Sequence, residues 1–150
     1  MNIAIASDHA GFSLKQDIIR FLKNSGYDVD DFGTDSDASM DYPDTTVKAA
    51  RAVSQGKAAR GIVICGSGIG ASIVANKVKG VRCALCTDVY DAEFSRLHND
   101  ANAIALGARK IRLDKAEEIL IAWFGTDFEG GRHEGRVAKI HAIEEEEGRI

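Results

Sequence analysis

A cysteine stands directly before three closely spaced glycines, Cys65-Gly66-Ser67-Gly68-Ile69-Gly70, in a chain of 150 residues. Glycines at this spacing leave backbone amides uncovered. If the run opens a helix, those amides lie at its positive end, where they can hold an oxyanion and favour the thiolate of a neighbouring cysteine. A second chemistry fits the same residues. Gly66-x-Gly68-x-x-Ala71 satisfies a dinucleotide fingerprint, and Asp88 lies near the spacing at which a ribose-binding acid is sought. That fingerprint normally occupies the first strand–helix turn, however, and so short a chain has little room for a separate substrate domain. A small buried residue closing a strand is the plainer role for Cys65, so its position alone leaves an activated thiol and a core residue evenly matched.

Arg132 and Arg136 are four apart and follow Gly130-Gly131. In a helix they share a face in its first turns, where free amides add to an anion site of phosphate size. His133 beside them and Arg109 at a strand end could supply further donors. The competing reading is a solvated basic face paired with Glu129 and Glu134. His98-Asn99-Asp100 offers an imidazole that titrates near neutral pH and an amide for a hydroxyl or an oxyanion, or else simply a helix cap. The histidines at 9, 98, 133 and 141 have no short metal-ligand spacing and the three cysteines no zinc pattern, so no metal is expected. Cys83 and Cys86 have redox-pair spacing, but an odd separation within an apolar strand sends them to opposite faces, and both read as reduced structural thiols.

These groups need elements to hold them. Ile3 to Ala6 reads as a strand leading through Ser7-Asp8-His9-Ala10-Gly11 to a helix bearing Leu14, Ile18, Phe21 and Leu22 and ended by Gly26. Tyr27 to Phe32 alternates like an edge strand. Thr34 to Asp41 is a loop, Tyr42-Pro43-Asp44 leads into a helix over about 45–55, and Gly61 to Cys65 is a strand buried on both faces. After the glycine loop the pattern predicts a helix over 71–78 stopped by Gly80, a second buried strand at 82–86, and a helix to about His98. A fifth strand at 103–106 and two more helices follow, the first opened by an Asp114/Glu117 capping box and the last ending in Glu144 to Glu147 as a solvated terminus. Strand–helix alternation with short loops predicts a single α/β domain over 1–150, a Rossmann-like three-layer sandwich with a five-stranded parallel sheet and a C-terminal helix. In such sheets ligands collect outside the carboxyl ends of the strands, which makes Asp8, His9, Cys65, Thr87, Asp88 and Arg109 one candidate rim.

Composition narrows the partners. A formal charge of −4 gives no global attraction for nucleic acid or an anionic membrane, and no apolar run reaches the ~18 residues of a membrane span. A soluble, cytoplasmic protein is expected.

Ser7-Asp8-His9-Ala10-Gly11, Asp41-Tyr42-Pro43, Cys65-Gly66-Ser67-Gly68-Ile69-Gly70, Ser95 to Asp100 and Glu129-Gly130-Gly131-Arg132-His133 together resemble the B-type ribose-5-phosphate isomerases and the galactose-6-phosphate isomerase subunits, in order and over nearly the whole chain. The resemblance implies an aldose–ketose isomerase of ribose 5-phosphate that needs no cofactor. Cys65 would be the base, His98 would open the furanose ring, and Ser67 with the amides of Gly66, Gly68, Ile69 and Gly70 would hold the enediolate oxygen. Asp8, His9, Tyr42 and Asn99 would orient hydroxyls; Arg109, Arg132 and Arg136 would bind the phosphate. Ala71 stands where another branch of the family carries a glutamate base, which puts this chain in the cysteine branch. The resemblance further implies a homodimer or dimer of dimers whose sites are built from two chains. Phosphohexose isomerisation, or a nucleotide-binding module, are the alternatives.

Overall fold

In a computed structural model, which describes residues 1–148, five strands form one parallel sheet: β1 (Asn2–Ser7), β2 (Asp28–Asp31), β3 (Arg60–Cys65), β4 (Cys83–Leu85) and β5 (Ala103–Gly107). Their order is β2-β1-β3-β5-β4. The helices are α1 (Phe12–Asn24), α2 (Tyr42–Ser54), α3 (Ile69–Asn76), α4 (Val89–Asn99), α5 (Leu113–Phe124) and α6 (Arg132–Glu147). Parallel crossovers are right-handed, so the direction of each step decides which face its helix covers. The steps β1→β2 and β4→β5 run one way, and α1 and α4 pack on the same face with α5. The steps β2→β3 and β3→β4 run the other way, and α2 and α3 cover the opposite face.

The strands treat their two faces differently. Ile3, Ile5, Ile62, Ile64, Ile104 and Leu106 point toward α1, α4 and α5, where Trp123 fills the core. Ala4, Ala6, Val63, Cys65, Ala103 and Ala105 point toward the alanines of α2 and α3. Small residues on both sides let those helices lie close to the sheet. A Cβ on Gly61 would already stand 3.0 Å from Val53 Cγ2. Cys65 therefore ends its strand on the thin, alanine-lined side.

Several expected boundaries shift. β4 is an edge strand with exposed Leu85, rather than buried on both faces: β5 enters the slot beside β3 and displaces it outward. α2 begins at Tyr42, since Pro43 at the helix start needs no amide partner there. α3 runs 69–76, two residues earlier than its expected span, and Gly80 (φ +81°) belongs to the following turn. No capping box opens α5. Arg112 occupies its N-cap, and Asp114 lies in the first turn, accepting from Lys115 N at 2.9 Å. Gly26 does end α1, with Tyr27 N donating to Leu22 O and Gly26 N to Lys23 O, the paired bonds of a glycine-terminated helix. Glu144 to Glu147 form the last turn of α6, where Glu144 also accepts from Gly80 N at 2.8 Å. Cys83 and Cys86 are free and pack on opposite faces. Burial pushes the Cys86 thiol up to about 12, and burial followed by the Cys86 charge raises Cys83 as well.

Candidate active site

The order β2-β1-β3 reverses direction after β1, which puts a switch point, the place where such sheets bind ligands, at the carboxyl ends of β1 and β3. Asp8 and Cys65 flank it, both buried, with Cys65 only 4% exposed. Asp8 Oδ1 accepts from Gly11 N at 3.1 Å, which ties the carboxylate to the start of α1. Gly68, at φ +78°, caps α3, and its amide donates to Cys65 Sγ at 3.2 Å. The sulfur thus meets the free amides at the positive end of a helix.

Close packing fixes the loop. A Cβ on Gly107 would lie 2.6 Å from Ser67 O, one on Gly68 2.9 Å from the Leu106 carbonyl carbon, and one on Gly70 2.5 Å from Tyr42 Cζ. The Tyr42 phenol accordingly lies over the loop. Ser67 Oγ accepts from Ile69 N at 3.1 Å. Arg109 N donates to Gly66 O at 3.0 Å, and its guanidinium lies against Gly66. His9 is held by Met40, whose backbone N and O both stand 3.2 Å from Nδ1. One chain therefore brings together Asp8, His9, Tyr42, Cys65, the glycine loop and Arg109.

His98 and Asn99 are elsewhere. α4 starts at the carboxyl end of β4 and runs back for 11 residues, about 16 Å, so they lie toward the amino ends of the strands. Asn99 O accepts from Arg82 Nε, just before β4, at 3.0 Å. Glu129 N donates to Leu97 O at 3.1 Å and brings the start of α6 to this end. His98 stacks on His133, ring centroids 4.1 Å apart, and meets the edge of Phe94 on its own helix at 4.9 Å. His133 is 2% exposed. Burial, then His98 beside it, holds its imidazole below the ordinary value. Arg132 and Arg136 are exposed and, among the described residues, form no ion pair; Arg136 Nη1 lies 3.5 Å from His133 Nδ1. Glu129 faces the histidines rather than the arginines, with Oε2 3.8 Å from both Nε2 atoms. The ion pairs of Glu129 with the arginines, the competing reading of this segment, do not form; the signal in the sequence for its actual partner was the spacing of four between Glu129 and His133. The expected site thus falls into two halves, and Arg109 is separated from Arg132 and Arg136.

A thiol and an amide loop at the switch point of a doubly wound α/β sheet define a class of small-molecule enzyme. Residues 3–140 match the family model described as Ribose/Galactose Isomerase, and the chain belongs to that family of aldose–ketose isomerases. A structure of Clostridium thermocellum ribose-5-phosphate isomerase B matches with a TM-score of 0.96 and 54% identity, covering 97% of this chain and 99% of that one. Escherichia coli ribose-5-phosphate isomerase B is 46% identical over 143 residues, 95% of this chain and 96% of its own. D-erythrulose-4-phosphate isomerase of Pectobacterium atrosepticum is 44% identical over 148 residues, 98% and 97% of the two chains. No helix among the described residues is long and apolar enough to cross a membrane.

Proposed function

We propose that the chain interconverts ribose 5-phosphate and ribulose 5-phosphate through an enediolate. The observation that carries this is Cys65 Sγ within 3.2 Å of the Gly68 amide, at the mouth of a glycine loop. The Cys65 thiolate takes the proton from C2 of the open-chain aldose. The C2–H electron pair forms the C1–C2 double bond, and the carbonyl pair moves onto O1. Ser67 and the amides from Gly66 to Gly70 hold that oxyanion, since a sugar C–H becomes removable only when the charge is met by donors already in place. The thiol then returns the proton to C1, while a hydroxyl proton passes from O2 to O1. His98 opens the furanose beforehand. Asp8, His9, Tyr42 and Asn99 orient hydroxyls, and Arg109, Arg132 and Arg136 hold the phosphate. No step calls for a metal or a redox cofactor.

The two halves work together if each site pairs the Cys65 rim of one chain with the His98–Arg132–Arg136 end of a two-fold partner. Exposed apolar side chains favour this arrangement: Ile69, Ile73 and Leu85 beside the rim, and Ile140 and Ile143 on α6, which share a groove with Asn99. The cytoplasm is the proposed compartment, in keeping with three free thiols.

Turnover of ribose 5-phosphate, measured against allose 6-phosphate and galactose 6-phosphate, tests the substrate; negligible pentose activity with good hexose activity would overturn it. The Pectobacterium relative motivates a second reading, a four-carbon ketose phosphate, to be assayed in the same series. Nucleotide binding is disfavoured because Asp88, the acid it would require, caps α4 by accepting from Asp91 N at 2.9 Å. Calorimetry with NAD and AMP should register no heat of binding.

A further inference from the structure

His98, Glu129 and His133 present three donor atoms, Nε2, Oε2 and Nε2, all within 4.8 Å of one another. Around a zinc ion such donors sit at about 2.0–2.2 Å, so modest closure of the cluster would meet the coordination distances, and two histidines with one glutamate make a donor set of zinc sites that keep a fourth position open. The set is already restrained. Glu129 is fastened by its amide to Leu97 O, next to His98, and His133 by its amide to Gly130 O. His133 Nε2 is buried without a hydrogen-bond partner, an uncompensated polar atom aimed into the cluster. His98 is about one-third exposed and Glu129 more so, which leaves a path for an ion and lets the His98 ring turn out of its stack to converge on it. Arg132 and Arg136 oppose a cation here, but both are exposed and their field is screened by salt.

We propose that His98, Glu129 and His133 form a site for a borderline transition cation such as Zn²⁺, and that its occupation inhibits the isomerase by taking the lone pair of the ring-opening histidine. The inhibitory half rests on the function proposed above; the binding half does not. Binding is therefore measured by itself, with Co²⁺ as a visible probe on the intact Cys65→Ser protein, which removes the catalytic thiol as a ligand. Saturable binding of one Co²⁺ per chain with a four- or five-coordinate absorption band is expected. His98→Asn, at a half-buried position, and Glu129→Gln, at an exposed one, should each weaken it by about tenfold or more. Absence of saturable binding, or an affinity unchanged in both variants, would overturn the site. In the wild-type protein Zn²⁺ should inhibit ribose 5-phosphate turnover and EDTA should restore it; full activity at Zn²⁺ concentrations that saturate the site would overturn the inhibition.

Discussion

At the scale of single residues, the division between ring opening and proton transfer can be separated chemically. A tetrose 4-phosphate has no free hydroxyl with which to close a furanose, so in the proposed mechanism it needs Cys65 but not a ring opener. His98→Asn should therefore lower turnover of ribose 5-phosphate by roughly 10²-fold or more and leave D-erythrose 4-phosphate conversion, where it is measurable, much less affected. Equal losses on both substrates would remove His98 from ring opening. Cys65→Ala should abolish turnover of both while phosphate-analogue affinity, read by calorimetry, stays near wild type. Gly68 is the residue whose backbone the loop cannot change: φ is +78°, and a Cβ would strike Leu85 Cδ1 at 2.7 Å and backbone at 2.9 Å. Gly68→Ala should cost about 1–3 kcal/mol of stability and most of the activity, measured by denaturant unfolding and steady-state assay.

At the scale of elements, β4 and the turn that follows it carry buried thiols, Cys83 and Cys86, whose titration is tied to folding. The Cys86 thiol is pushed up to about 12 by burial, so in alkaline solution the unfolded chain loses that proton before the folded one does. The folded state then holds more protons, and stability falls as pH rises above the ordinary thiol value of about 8.5. Cys86→Ala should flatten this alkaline decline in urea midpoints between pH 8 and 10, while adding a small pH-independent cavity cost. Asp88 is an element-scale residue too, since its carboxylate caps α4 rather than facing a ligand. Asp88→Ala should cost about 1 kcal/mol, read as a lowered denaturation midpoint, with little change in KM.

For the whole molecule, the separation of the Cys65 rim from the His98 end makes a quantitative forecast. In the proposed site, which uses both groups, Cys65→Ala and His98→Asn should each show little ribose 5-phosphate turnover. If every site combines two chains, co-refolding the two variants in equal amounts forms mixed dimers that each hold one intact site and one doubly impaired one. Random pairing then restores about a quarter of wild-type turnover. No recovery, with mixed dimers verified by mass, would mean that both groups act from one chain.

The local pattern along the chain determined the five strands, the helices between them, the end of α1 at Gly26 and the position of Cys65 at a strand end before a helix, because each depends on neighbours a few residues away. It also marked Arg132, Arg136 and His98 as residues capable of chemistry. Only the tertiary structure decided that β5 inserts between β3 and β4 and that Glu129 meets His98 on a different helix instead of the arginines. It likewise decided that Cys65 and His98 stand at opposite ends of one sheet. Those outcomes depend on strand order and on which face each right-handed crossover must cover, relations between segments tens of residues apart that no local periodicity encodes.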